Sequence, residues 1–193
     1  MRQLCTARSL PRYELTSQGC NWYQFQMSLR AFFEWMATTP WSVSIHESLW
    51  LYPIIESVHV LGTCLFFGMV MLLDLRLLGI TLRSVPVTDV TKRLLPWTFA
   101  GFVPMAITGS LLVYQEPLRA YDNVFFRVKF VMLILAGLNA LAFHTGIYKR
   151  VADWDRDPVA PYRARFAGTF SLLLWIGVIA CGRLIAYNWF EKK

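Results

Sequence analysis

Charged side chains are scarce in this chain of 193 residues. Asp, Glu, Lys and Arg together make up 16% of the sequence, whereas hydrophobic residues make up 56% and the mean hydropathy is +0.42. That hydropathy is well above the value of a soluble domain of this size. The P-loop, the Rossmann glycine pattern, the zincin motif and the nucleophile elbow are also missing. These absences disfavour a hydrolase or a nucleotide-driven pump and favour an integral membrane protein.

Charge is missing altogether from four long runs of the sequence. The runs are Ser57–Leu73, Leu94–Gln115, Phe130–Tyr148 and Phe166–Gly182. Each is close to the ~20 residues that an α-helix needs to cross ~30 Å of hydrocarbon. We therefore predict an all-α polytopic membrane protein, built as a four-transmembrane-helix bundle in which sequential neighbours pack antiparallel.

The predicted helices divide the chain into three regions. The four transmembrane helices are expected at about 49–78, 94–114, 124–148 and 164–188, within a membrane domain of residues 49–190. Before them, residues 27–48 are rich in aromatic side chains with a few charges. That composition is typical of an N-terminal interfacial amphipathic helix. Residues 1–26 are polar, and we expect a poorly ordered tail.

The net charge of +7 arises mostly from basic residues in the connections between the apolar runs. This placement indicates membrane topology rather than nucleic-acid binding. Two connections on one side of the membrane are richest in them: Arg76, Arg83, Lys92, Arg93, Lys149, Arg150, Arg156, Arg163 and Arg165. The positive-inside rule makes that side cytoplasmic and places both termini on the opposite side.

Histidine is rare, and one of the three histidines lies inside the first predicted helix. Glu56 precedes His59 by three residues, and Gly62 and Thr63 follow on the same helical face. An acidic residue can orient an imidazole, and glycine lets a flat macrocycle approach, so His59 is a candidate haem ligand. A histidine that hydrogen-bonds to a neighbouring helix is the alternative interpretation.

The second predicted helix carries a residue that could reach the same cofactor. Counting inward at ~1.5 Å per residue, Met105 lies at about the depth of His59. Gly101, Thr108 and Gly109 flank it on one face. A methionine in an apolar helix is equally consistent with filling a packing gap.

Several further residues are candidates for the same site. Lys129, Arg127 and Arg183 lie roughly level with His59 or just above it, where they could bind anionic propionates or extend to the lipid headgroups. His46 could act as a sixth ligand in place of Met105, or lie exposed at the interface. His144 is near the opposite end of the third helix, so one haem cannot join it to His59.

Two charged residues, Asp74 and Arg76, interrupt the end of the first predicted helix. We expect them to pair with each other at the cytoplasmic rim, with Lys92 or Arg93 as further partners, in a structural role.

Three segments resemble a known type of protein: "SVHVLGTCLFFGMVMLLDLRLLG", "LLPWTFAGFVPMAITGSLLVY" and "FFRVKFVMLILAGLNALAFHTGIYKR". Together they resemble a bacterial inner-membrane family of unknown function with four helices. More distantly, they are similar to the HemJ-type protoporphyrinogen oxidases and the copper-resistance D membrane proteins. The likeness covers about 41–150 well and the fourth helix loosely. It implies a multi-pass protein of the bacterial inner membrane. In that membrane the positive-inside rule makes both termini periplasmic.

The HemJ-type resemblance implies roles for three residues. His59 matches the histidine that binds haem b in that family, Lys129 matches a lysine that opens a later helix, and His144 matches the histidine that ends it. The chain departs from the HemJ pattern at Asp74-Leu-Arg76 and in its extended front end. The resemblance therefore implies haem binding more directly than protoporphyrinogen oxidation.

Three functional hypotheses follow. The first is a small haem b protein that carries out electron transfer or a membrane redox step, as an oxidoreductase component with a membrane or periplasmic partner. The second is a cofactor-free integral subunit or assembly factor of a larger complex or oligomer, in which small residues allow close helix packing. The third is copper handling through Met69, Met71 and Met105, whose thioethers suit Cu(I) although they do not share one depth.

Overall fold

A computed structural model describes residues 28–185, with the exception of the His46 side chain. The described residues are mostly helical and contain no strand, which confirms the all-α fold. Its elements are α1 (28–37), α2 (Pro40–Glu47), α3 (Leu51–Leu77), α4 (Val87–Gln115), α5 (Pro117–Asp122), α6 (Val124–Ala142), a π turn (Phe143–Ile147), a 3-10 segment (Tyr148–Asp153) and α7 (Tyr162–Ile185). The predicted tail, 1–26, lies outside the described residues.

Four of these helices are long and apolar enough to cross a membrane: α3, α4, α6 with the segments that continue it to Asp153, and α7. This confirms the four predicted transmembrane helices. They pack in a row, with α4 against α3, α3 against α7 and α7 against α6. Within the described residues, α6 makes at most marginal contact with α3 or α4. We refer below to the end where α3 begins as the His59 end, and to the end where α3 stops as the Asp74 end.

The contact between α3 and α4 depends on two glycines. A Cβ atom added to Gly62 would lie 3.1 Å from the main-chain oxygen of Gly101, and one added to Gly101 would lie 2.6 Å from the main-chain nitrogen of Phe66. The two backbones therefore meet directly, as small residues allow in membrane helices. The Phe66 ring in turn packs edge-on against Trp175 of α7, with ring centroids 4.7 Å apart. This crossing joins three of the four long helices.

Helix α4 begins at Val87, earlier than the Leu94 predicted from the loss of charge. The early start is stabilised by Asp155, far along the chain. The Thr88 amide donates to Oδ1 of Asp155 at 2.8 Å, and the Thr88 hydroxyl donates to Oδ2 at 2.7 Å. Burial alone would raise the pKa of Asp155, but these hydrogen bonds, together with the nearby Arg156, outweigh it, so the pKa lies below its usual range.

The third long helix starts where it was predicted to start, but it changes form before its predicted end. Asn123 accepts hydrogen bonds from the amides of Phe125 and Phe126, which is a typical N-cap. Regular α-helix stops at Ala142, and a π turn and a 3-10 segment continue to Asp153. These segments close the Asp74 end over a buried apolar cluster of Leu77, Val87, Phe143, Trp154, Ala160, Ala164 and Ala167.

The two short N-terminal helices attach to the end of α4. Thr39 Oγ1 lies 2.7 Å from the Tyr114 hydroxyl, and the Ser42 hydroxyl donates to the Tyr114 carbonyl at 2.8 Å. Large aromatic side chains remain exposed beside this contact, including Trp41 and Trp50, which are 75% and 77% exposed. Their exposure is compatible with an interfacial segment at 27–48, whose location at the membrane surface stays a prediction.

Candidate functional site

His59 lies on the face of α3 that packs against α4, and its ring contacts that helix directly. Nδ1 of His59 is 3.0 Å from the main-chain oxygen of Met105 and 3.1 Å from Oγ1 of Thr108. A Cβ atom added to Gly109 would lie 3.0 Å from Cε1 of the ring, so glycine is what makes room for the imidazole there. The prediction that His59 and Met105 lie at one level therefore agrees with the structure, although the observed contact uses the Met105 carbonyl.

The hydrogen bonds around Nδ1 determine which ring nitrogen of His59 carries the proton. The Thr108 hydroxyl donates to the Pro104 carbonyl at 2.6 Å, so its oxygen can only accept from the imidazole. The Met105 carbonyl is likewise an acceptor. In the neutral imidazole, Nδ1 is therefore the protonated nitrogen, and Nε2 keeps its lone pair. Among the described residues, Nε2 has no hydrogen-bond partner.

The small residues next to His59 do not leave the opening that was predicted for a macrocycle. The backbone of α4 fills the space at Gly62, where Gly101 and Met105 both lie within 3.1 Å of an added Cβ. On this side of the ring, glycine serves helix packing. Any flat ligand of His59 would have to approach through Nε2 of the half-buried ring.

Charged groups from two helices surround the imidazole at longer range. Glu56 on α3 and Lys129 on α6 both lie within electrostatic range of His59. The Tyr52 side chain is a polar neighbour of the Glu56 carboxylate. Lys129 is half-buried, and its Nζ lies 3.2 Å from where a Cβ of Gly182 would be. The ammonium has room there because Gly182 on α7 has no side chain. The structure thus places Glu56 and Lys129 within electrostatic range of His59.

The other predicted site residues are arranged differently. Arg127 is exposed and directed towards α5, because its Nε donates to the Tyr121 carbonyl at 3.0 Å and its guanidinium lies 5.4 Å from the Tyr121 ring centroid. Arg183 is exposed on α7, next to Gly182. The side chain of His46 lies outside the described residues. His144 is at the other end of the bundle, exposed, and donates through Nδ1 to the carbonyl of Ala140 at 3.0 Å.

The expected pairing of Asp74 with Arg76 is wrong. The fully buried Arg76 donates instead to two loop carbonyls, from Nε to Val85 at 2.8 Å and from Nη2 to Asp157 at 3.1 Å. Asp74 faces α7, where Ser171 is its polar neighbour. Residues two apart on a helix point in different directions, so the spacing itself already argued against the pair.

The residues at the His59 end match the donor chemistry of haem at one axial position. His59 offers Nε2, its Nδ1 is held by a carbonyl in the usual manner of a metal-bound histidine, and Lys129 supplies a positive charge nearby. The structure does not assign the Met105 thioether to a second position. No group of three or more His, Cys, Asp or Glu side chains comes together anywhere in residues 28–185. Copper handling stays a prediction based on the methionines.

Comparisons with known proteins assign the chain no activity. No curated protein matches the chain, and no solved structure matches it. The likeness to HemJ-type oxidases and copper-resistance D proteins stays a prediction. One family model does match, over residues 32–188, which include all four long helices. The chain therefore belongs to a family of unknown function, DUF6644.

Proposed function

We propose that this multi-pass membrane protein binds haem b through Nε2 of His59 and takes part in electron transfer or a membrane redox step. The observation that carries the proposal is the fixed tautomer of His59, whose Nδ1 donates to Met105 while Nε2 keeps a free lone pair. The contact that joins His59 to α4 occupies Nδ1 alone. The free Nε2 is the nitrogen that an axial ligand uses.

Four groups of the chain would support a haem at this position. The Met105 carbonyl and Thr108 hold the imidazole plane and make Nε2 a stronger donor, as partners of metal-bound histidines do. Lys129 would attract a propionate. Glu56 would balance the added positive charge near the ring. Haem itself would supply one-electron chemistry, with its potential adjusted by these neighbours.

The experiment is a haem assay on the detergent-purified protein from haem-replete cells. We expect a haem b spectrum in the wild type, its loss in His59→Ala and its retention in His144→Ala, because His144 lies at the far end of the bundle. Thr108→Val removes one acceptor from Nδ1 and should weaken haem affinity by about 10- to 100-fold, the usual effect of losing a partner of a metal-bound histidine.

His144→Ala is the matched control, since it deletes the same side chain from a described helical segment in the same protein. Two results would contradict the proposal. One is a colourless wild-type protein that also fails to take up added haem. The other is an equal loss of haem in the His59 and His144 variants.

A second candidate, a cofactor-free subunit or assembly factor, is supported by a different observation. The glycines near His59 bring the α3 and α4 backbones into contact, as expected if small residues serve packing. The amphipathic front end also exposes aromatic rings such as Trp41. Co-purification of a membrane partner with the colourless protein, lost on Trp41→Ala, would favour this function.

A further inference from the structure

A second polar position on α3, Asp74, is enclosed by protein at the opposite end of the bundle. Asp74 is 5% exposed, in the contact between α3 and α7. A Cβ atom added to Gly168 would lie 3.3 Å from the Asp74 carbonyl oxygen, so α7 passes close to this part of α3. The surroundings are therefore set by the protein itself rather than by lipid.

The carboxyl group of Asp74 has very little compensation for a negative charge. Its Oδ2 atom is buried and has no hydrogen-bond partner among the described residues. From α7 it meets the uncharged Ser171. On its own helix, Arg76 is turned to the loop carbonyls, and the α7 cations Arg163 and Arg165 are exposed. A buried carboxylate without a cation and with an unbonded oxygen is strongly unfavourable, whereas burial of the neutral acid costs much less.

Asp74 also lies close in sequence to a segment that is exposed to water. It precedes the last residue of α3, Leu77, by only about 4.5 Å of helix rise, and the connection to α4, which is exposed at Arg83 and Ser84, follows. His59 is ~22 Å away along the same helix. The two positions are therefore separate sites at opposite ends of the bundle.

We propose that Asp74 is a proton-binding site, which holds a proton in the assembled bundle and exchanges it with water at the Asp74 end. The exchange breaks the carboxyl O–H bond and passes the proton to water, and the reverse step returns it. An ionisable residue inside a membrane protein is a functional position by default, and a carboxyl next to an aqueous face can take up or release a proton. The proposal does not depend on haem.

Infrared spectroscopy of the purified protein in membranes tests this directly. A protonated carboxylic acid has a C=O stretch at higher frequency than any carboxylate band. We expect such a band at neutral pH, its disappearance in Asp74→Asn, and a downward shift in D2O as the proton exchanges. Ser171→Ala should move the band to higher frequency, because the carboxyl loses its polar neighbour.

Asp89→Asn is the matched control, since Asp89 is an exposed carboxyl near the start of α4 at the same end. It should leave the acid band unchanged. An identical acid band in Asp74→Asn and the wild type would overturn the proposal, and a band insensitive to D2O would overturn the exchange step. Should Asp74→Asn fail to fold, an unmoved band in Ser171→Ala refutes the assignment.

Discussion

Replacing Gly101 with alanine should force α3 and α4 apart. The added Cβ would lie 2.6 Å from the main-chain nitrogen of Phe66, which is 0.8 Å short of ordinary contact at 3.4 Å. Because backbone atoms cannot rotate away, the helices themselves must move, and such overpacking costs about 1–3 kcal/mol. The better helix propensity of alanine returns about 0.5–1 kcal/mol. We expect a net loss of about 1 kcal/mol in the free energy of unfolding, the middle of a range of about 0–2.5 kcal/mol.

The assay is reversible unfolding in detergent, followed by tryptophan fluorescence, which Trp175 beside the crossing should report. Gly137→Ala is the matched control, because Gly137 is in the apolar stretch of α6 and an added Cβ there meets nothing within 4 Å. It should leave stability unchanged or raise it. Equal effects of the two substitutions would refute the reasoning from backbone contact.

Two further predictions concern the connections at the Asp74 end. Arg76→Met should lower the free energy of unfolding by at least about 2 kcal/mol, since the Val85 and Asp157 carbonyls lose their donor. Arg76→Lys should not restore the stability, because an ammonium lacks the guanidinium fork. Denaturation curves measure both variants, and each should be less stable than the wild type. A lysine variant as stable as the wild type would contradict this reasoning. Asp155→Asn should cost about 1 kcal/mol by weakening the bonds to Thr88. The pKa of Asp155 is lowered in the folded protein. Its contribution to stability is therefore present above the pKa of Asp155 in the unfolded chain and is lost as pH falls through the folded pKa. The unfolding curves of wild type and variant should therefore converge in acid.

The helices were predictable because hydropathy over a long window reflects a simple physical requirement. The ends of the helices are harder to predict from the sequence. The start of α4 at Val87 depends on Asp155, and nothing near Val87 in the sequence reveals a partner that far along the chain. Likewise, the polar side chains and the glycine of "AFHTGIYK" do not announce the change from α-helix to π turn at Phe143.

For the candidate site, the sequence predicts correctly that His59 and Met105 lie at the same level, but it does not predict which of their atoms meet. Rise per residue suffices to place His59 and Met105 at one level, and the structure agrees. The same calculation cannot tell a thioether from a main-chain carbonyl. It also cannot tell whether Gly62 leaves room for a ligand or for another helix. The predicted ion pair of Asp74 and Arg76 rests on charge alone, whereas residues two apart on a helix point in different directions.

The order in which the four long helices pack has a consequence for how the protein assembles in the membrane. The most extensive contacts join α3 with α4 and α6 with α7, which are consecutive pairs in the chain. Each pair can therefore enter the bilayer as a helical hairpin that already has most of its own interface. The hairpins then meet through α3 and α7, with Asp155 reaching back to Thr88 across the join. Cutting the chain between Gln115 and Val124 and expressing the two parts together would thus be expected to yield a reassembled bundle.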